Sequence, residues 1–143
     1  MRPEFPENHT ANLTVTFPGG MPPPWPAVRD LLAGRGLPLK MRMIDGQPAF
    51  PDEEPPEEWR EIRVGAADGM VTIRREGDRL VFVVWTNAGL ELRKALNALA
   101  WAFAEAGSGR IDAPQGPLDA AAFLRTVEMP DAIRAGDDGD RVP

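Results

Sequence analysis

"WREIRVGAADGMVTIRREGDRLVFVVW", residues 59 to 85, decides the fold. Three runs rich in β-branched and aliphatic residues, "WREIRVG", "MVTIRRE" and "RLVFVVW", are separated only by Ala67-Asp68-Gly69 and Gly77-Asp78. Gaps that short hold a tight turn but no crossover helix, so the stretch reads as an antiparallel meander. In the first two runs Ile62, Val64, Val71 and Ile73 fall on one face and Arg63, Thr72 and Arg74 on the other. In the third, Leu80, Phe82 and Val84 oppose Val81, Val83 and Trp85. Apolar residues on both sides predict a central strand covered on both faces.

Upstream, "LTVTF" (13–17) alternates as a half-buried strand. "PGGMPPP" breaks it, and "WPAVRDLLAGRG" makes a short helix with Pro26 in its first turn and Gly34 or Gly36 at its stop. "PLKMRMIDGQPAF" (38–50) predicts a strand with Leu39, Met41 and Met43 inward and Lys40 and Arg42 outward. Its Asp45-Gly46 pair signals a tight turn, with Pro48 to Phe50 returning as a short edge strand.

Between this hairpin and the meander lies "PDEEPPEE", with five carboxylates in the seven positions 52 to 58. Pro51, Pro55 and Pro56 keep it extended, and like charges keep it in water. The bland reading is a solvated strap. The sharper one is a removable cover, entering the meander just before Arg60 and Arg63. It folds back over a basic rim of Arg63 and Arg74 joined by Lys40 and Arg42, and is displaced when an acidic or extended peptide binds.

Downstream, "TNAGLELRKALNALAWAFAEAG" is a helix, with Thr86 or Asn87 as its cap and Gly107 as its end. Leu92, Leu96, Leu99 and Phe103 form one stripe, and Trp101 points to the opposite side. That Trp is covered either by a weaker helix predicted over residues 118–128 or by another chain. "GRID" (109–112) reads as a last short strand. The expected organisation is a flexible arm over residues 1–12, a single α+β domain over 13–129 and a flexible acidic tail over 130–143. The domain is a mainly antiparallel sheet with a central meander and two to three helices packed against it.

The 143 residues suffice for one domain with a core that needs neither disulfide nor metal. The net charge of −6 argues against a nucleic-acid binder, and no apolar run approaches a membrane span or a signal peptide. The cytoplasm is the default compartment. Arginine far outnumbers lysine and Tyr is absent, a composition of GC-rich, bacterial type.

Catalytic constellations are scarce. The sequence contains no Cys, and its one His and one Ser, His9 in the arm and Ser108 after the long helix, are poorly placed for a triad. "DDGD" (137–140) lacks the spacing of a calcium loop. "PGGMPPP" lacks the N–H donors of a phosphate site, and "GSGR" follows the wrong end of a helix. "MPPPWP" reads as a rigid lead into the first helix, with Trp25 packed, rather than as a polyproline ligand. No cofactor and no metal are expected.

What stands out is surface. Arg63 and Arg74, joined by Lys40, Arg42 and Trp85, place cations beside an apolar patch on an acidic protein, and Trp101 marks a second candidate contact. The expected function is a small non-catalytic interaction module (adaptor, immunity-type inhibitor or chaperone-like protein) with a protein partner or a homodimer. The alternative is a small-molecule-binding or carboxylate-based enzyme domain with a pocket between sheet and helices. A filled core with an exposed Arg patch favours the first, and a cavity with buried carboxylates the second.

Overall fold

The computed structural model describes residues 10–66, 69–85, 89–113 and 116–134, with side chains from Leu13 onward except that of Trp85. The chain runs β1 (Thr10–Thr16), α1 (Trp25–Gly34), β2 (Lys40–Ile44), β3 (Gln47–Pro48), β4 (Glu61–Ala66), β5 (Gly69–Glu76) and β6 (Arg79–Trp85). It continues through α2 (Leu90–Gly107), β7 (Arg110–Ala113), β8 (Gly116–Leu118) and α3 (Ala120–Thr126). The strands form one antiparallel sheet in the order β3-β2-β4-β5-β6-β1-β7-β8, so the domain is α+β. The meander β4-β5-β6 stands at its centre. Because β1 lies between β6 and β7, the connection from β6 to β7 has to cross β1. α2 makes that crossing and packs on β6, β1, β5 and β7.

One face of the sheet makes the core. Register places Ile62 beside Ile73, Ile73 beside Phe82, and Val15 beside both Leu80 and Ile111; all are fully buried. Phe103 of α2 meets Phe82 edge-on at 5.5 Å and lies 6.2 Å from Trp25 at the head of α1. Small residues let α2 sink in: Ala95, Ala98, Ala100, Ala102 and Ala104 are all buried alongside the leucine stripe. Its last turn comes so close to the β1 end that a Cβ on Gly107 would stand 2.7 Å from Pro23 Cδ and 2.9 Å from Phe17 Cε1. The left-handed step that ends the helix therefore falls on Ser108, with φ 56°.

Several boundaries differ from the sequence reading. Thr10, Ala11 and Asn12, assigned to the arm, belong to β1 and pair with Trp85, Val84 and Val83. Met43 does not point inward: a bulge between Met41 and Met43 changes the alternation, so Ile44 takes the core position and Met43 lies opposite Arg63. Leu118 belongs to β8 opposite Ile111 instead of opening a helix, and α3 starts only after Asp119, whose Oδ1 accepts from the Ala122 N–H at 2.8 Å. α2 begins at Leu90 after Gly89, with no side-chain cap, and residues 86–88 lie outside the described residues.

The C-terminal boundary also shifts. Residues 131–134 form a helical turn with Ile133 fully buried, and Met129 is buried as well, so the domain extends through 134. Burial of the apolar Met129 and Ile133 favours this docking. Residues 135–143, like His9, lie outside the described residues.

Candidate functional site

The helices lie on one side of the sheet, and among the described residues nothing covers the other. Register arranges that open face in four rows. Lys40, Gly65 and Met70 form the first row. Met43, Arg63, Thr72 and Val83 form the second, and Glu61, Arg74, Val81, Thr14 and Asp112 the third. Glu76, Arg79, Thr16 and Arg110 complete it. The expectation that β6 is covered on both faces is therefore corrected. β6 is central, but Val81 and Val83 are only half-buried, flanked by the Thr and Arg positions of β1 and β5. Shielding by long and β-branched neighbours within the same sheet is enough to keep aliphatic residues there without a second layer.

Lys40, Arg42, Arg63 and Arg74 share this face. Arg63 and Arg74 are diagonal neighbours on β4 and β5, a spacing of roughly 7–8 Å. Arg42 occupies the bulge, and its guanidinium lies over Gly65: a Cβ on that glycine would meet Arg42 Nε at 2.9 Å. Arg63 Nη2 stands 4.0 Å from Glu61 Oε2, and Arg79 Nη2 3.8 Å from Glu76 Oε1. Among the described residues no carboxylate comes within ion-pair distance of Lys40, Arg42 or Arg74. The face thus gathers Lys40, Arg42, Arg63, Arg74, Arg79 and Arg110 against Glu61, Glu76 and Asp112, a basic surplus on a chain of net charge −6. Arg79, Arg110 and Gly65 were absent from the sequence reading. Alternation within β6 and β7 carries the signal for the two arginines, but only strand order shows that they join the same face.

Trp85 ends β6 opposite Thr10, and its side chain lies outside the described residues. Trp101 is corrected as a contact residue: it is 2% exposed. The Arg35 guanidinium stacks over its ring at 5.0 Å and donates from Nη1 to the Ile133 carbonyl at 3.2 Å. Asn97, one turn before Trp101 on α2, donates to the Glu128 carbonyl at 2.8 Å, and Arg134 donates to the Val127 carbonyl. The segment after α3 is thereby laced across this side of α2, which gives Trp101 its cover from within the chain.

The acidic strap does not lie over the arginines of the open face, which corrects the cover hypothesis. Glu54 Oε2 pairs with Arg29 Nη1 of α1 at 3.0 Å, and Glu53 Oε1 accepts from the Phe50 N–H. Hydrogen bonds to Asp30 and then to Glu54 hold the Arg29 guanidinium above its ordinary pKa. The cause of the route is Trp59, buried at the strap's end beneath Arg75 at 4.7 Å, with Arg75 Nη2 donating to the Glu57 carbonyl at 3.1 Å. Arg75 alternates onto the helix side of β5, next to buried Leu80 in register, so it draws the strap toward α1. Burial pushes the Arg75 guanidinium below its ordinary pKa, opposed by the charges of Asp45 and Glu58, and its buried Nε has no hydrogen-bond partner among the described residues. The strap's carboxylates otherwise stand exposed, as a solvated strap should.

Asp45 completes the frame of this edge. It heads the β2–β3 turn at φ 51°, and its Oδ1 accepts from the Arg60 N–H at 2.7 Å and the Glu61 N–H at 3.0 Å. The Glu61 bond first, and the Arg60 bond second, hold this carboxyl below the usual range.

Among the described residues no polar or charged residue is fully buried, and no cluster of His, Asp and Glu is placed to hold a metal. No helix of the described residues is long and apolar enough to cross a membrane. Comparison of the chain with known protein families, with curated proteins and with solved structures gives no match, so the open face and its geometry carry the functional reading.

Proposed function

We propose that this protein is a small cytoplasmic interaction module without catalytic activity, which binds an acidic protein partner through the open face of its sheet. The observation that carries the reading is the cluster of Lys40, Arg42, Arg63 and Arg74 on a helix-free face, beside half-buried Val81 and Val83. Interfaces combine such apolar centres with polar rims, and Lys40, Arg42 and Arg74, which have no ion pair among the described residues, lose little on meeting a carboxylate. The filled core speaks against the small-molecule alternative, because the space between sheet and helices is occupied by Phe82, Phe103, Leu99 and their neighbours.

The test is affinity capture of the full chain from lysate at low and moderate salt, comparing wild type with Arg63→Gln/Arg74→Gln. One stoichiometric partner, released by salt and by the double substitution, is the expected result. A partner held equally by the double variant, or recovery of the chain with no partner, refutes the open-face reading.

A further inference from the structure

We propose that the cleft at the β2–β4–β5 end of the open face binds the carboxylate side chains of an extended acidic peptide segment of the partner. The inference rests on the open-face reading and adds to it a place and a ligand chemistry. The cleft has a volume of about 710 Å³ and includes Lys40, Arg42, Gly65, Gly69 and Met70 among its walls. Lys40 stands opposite Gly65 in register on one side and Met70 on the other, so two cations and a thioether surround a residue with no side chain.

Gly65 is what shapes the site. Its missing Cβ leaves room for the Arg42 side chain over the strand, where a Cβ would meet Nε at 2.9 Å and Cγ at 3.5 Å. The planar Arg42 guanidinium presents its donors as a fork that matches a carboxylate bidentately, and the Lys40 ammonium adds an adaptable point charge. Met70, 43% exposed, supplies an apolar wall that conforms to varied neighbours.

The wider face specifies the shape of the ligand. Along β4 the open-face positions are Gly65, Arg63 and Glu61, each about 6.6 Å from the next. An extended segment laid along β4 brings alternate side chains to the same side with that spacing. One carboxylate meets Lys40 and Arg42, the next meets Arg63, and the following position falls at Arg74, opposite Glu61. The net charge of −6 disfavours a polyphosphate, whose denser charge is repelled more strongly than separate carboxylates.

Fluorescence anisotropy of a labelled ten-residue peptide with Glu and Ser alternating, at low and moderate salt, tests this. Lys40→Gln/Arg42→Gln is expected to weaken binding roughly tenfold, the worth of two exposed ion pairs. Gly65→Ala keeps every charge and displaces only the far part of Arg42, so it should fold normally by circular dichroism and still weaken binding several-fold. Arg125→Gln, which removes one exposed charge from α3, should leave binding unchanged. If Arg63→Gln/Arg74→Gln abolishes peptide binding while the Lys40 and Gly65 variants bind as wild type, the cleft assignment fails and the open-face reading stands. If the wild-type chain binds no peptide but still captures its partner through Arg63 and Arg74, the cleft alone fails. Loss of both signals overturns both. Equal affinity for duplex DNA overturns the carboxylate chemistry.

Discussion

The two faces of the β4-β5-β6 meander are built from the same three strands and differ in nearly every physical respect. On the helix side, Ile62, Val64, Val71, Ile73, Leu80 and Phe82 are fully buried, and β5 and β6 pack against α2. On the open side, Arg63, Thr72, Arg74, Val81 and Val83 stand partly or wholly in water. Removing apolar surface from water contributes roughly 25 cal/mol per Å², so the first face holds the domain together. Charges at the second are worth little to stability, which leaves them available for a partner.

That division is open to attack on a single strand. Phe82→Ala removes a buried ring that packs edge-on to Phe103 and should cost about 3–5 kcal/mol in urea denaturation. Val83→Ala, the next residue and on the other face, should cost about 1 kcal/mol or less. Comparable losses at the two positions would show that something covers the open face after all.

Where burial is absent, local hydrogen bonds hold the edge, and Asp45 is the sharpest instance. Asp45→Ala deletes two acceptor bonds and leaves Ala at φ 51°, so a loss of about 2 kcal/mol at neutral pH is expected. The native carboxyl has a depressed pKa, so its contribution is complete above the unfolded value of roughly 4 and is lost as pH falls through the lower native value. The gap between wild type and variant should therefore narrow below about pH 4, leaving only the pH-independent cost of Ala at φ 51°. A gap that stays constant down to acid would show that the backbone conformation, rather than the carboxylate, accounts for the loss.

The smallest effect is the most diagnostic. Arg74→Gln should change stability by no more than about 0.5 kcal/mol, because among the described residues its guanidinium has no ion pair to lose. A larger loss would mean that Arg74 is structural, and the contrast between the faces would weaken accordingly.

The sequence was legible where a repeating physical constraint acted on neighbours. Alternation in residues 59–85 gave the meander and the outward set Arg63, Thr72 and Arg74, and Asp45-Gly46 gave its turn. It was illegible where distant segments compete for one surface. Apolar residues on both sides of β6 suggested two covering layers, and alternation alone cannot distinguish a packed neighbour from a shielding one in the same sheet. Met43 was misplaced because a bulge depends on the partner strand. The strap was drawn to the wrong arginines because proximity in sequence favoured Arg60 and Arg63, whereas buried Trp59 under Arg75 carried it to Arg29.

By itself the sequence determined the types of the main elements through the long helix, the inward and outward sets of the meander and the absence of thiol chemistry, since these follow from residue type and periodicity. Tertiary structure alone decided that β1 separates β6 from β7 and that residues 127–134 seal Trp101. It alone decided that Gly65 lies under Arg42. Each depends on which distant surfaces bury the most apolar area together, a quantity that no local window of sequence contains.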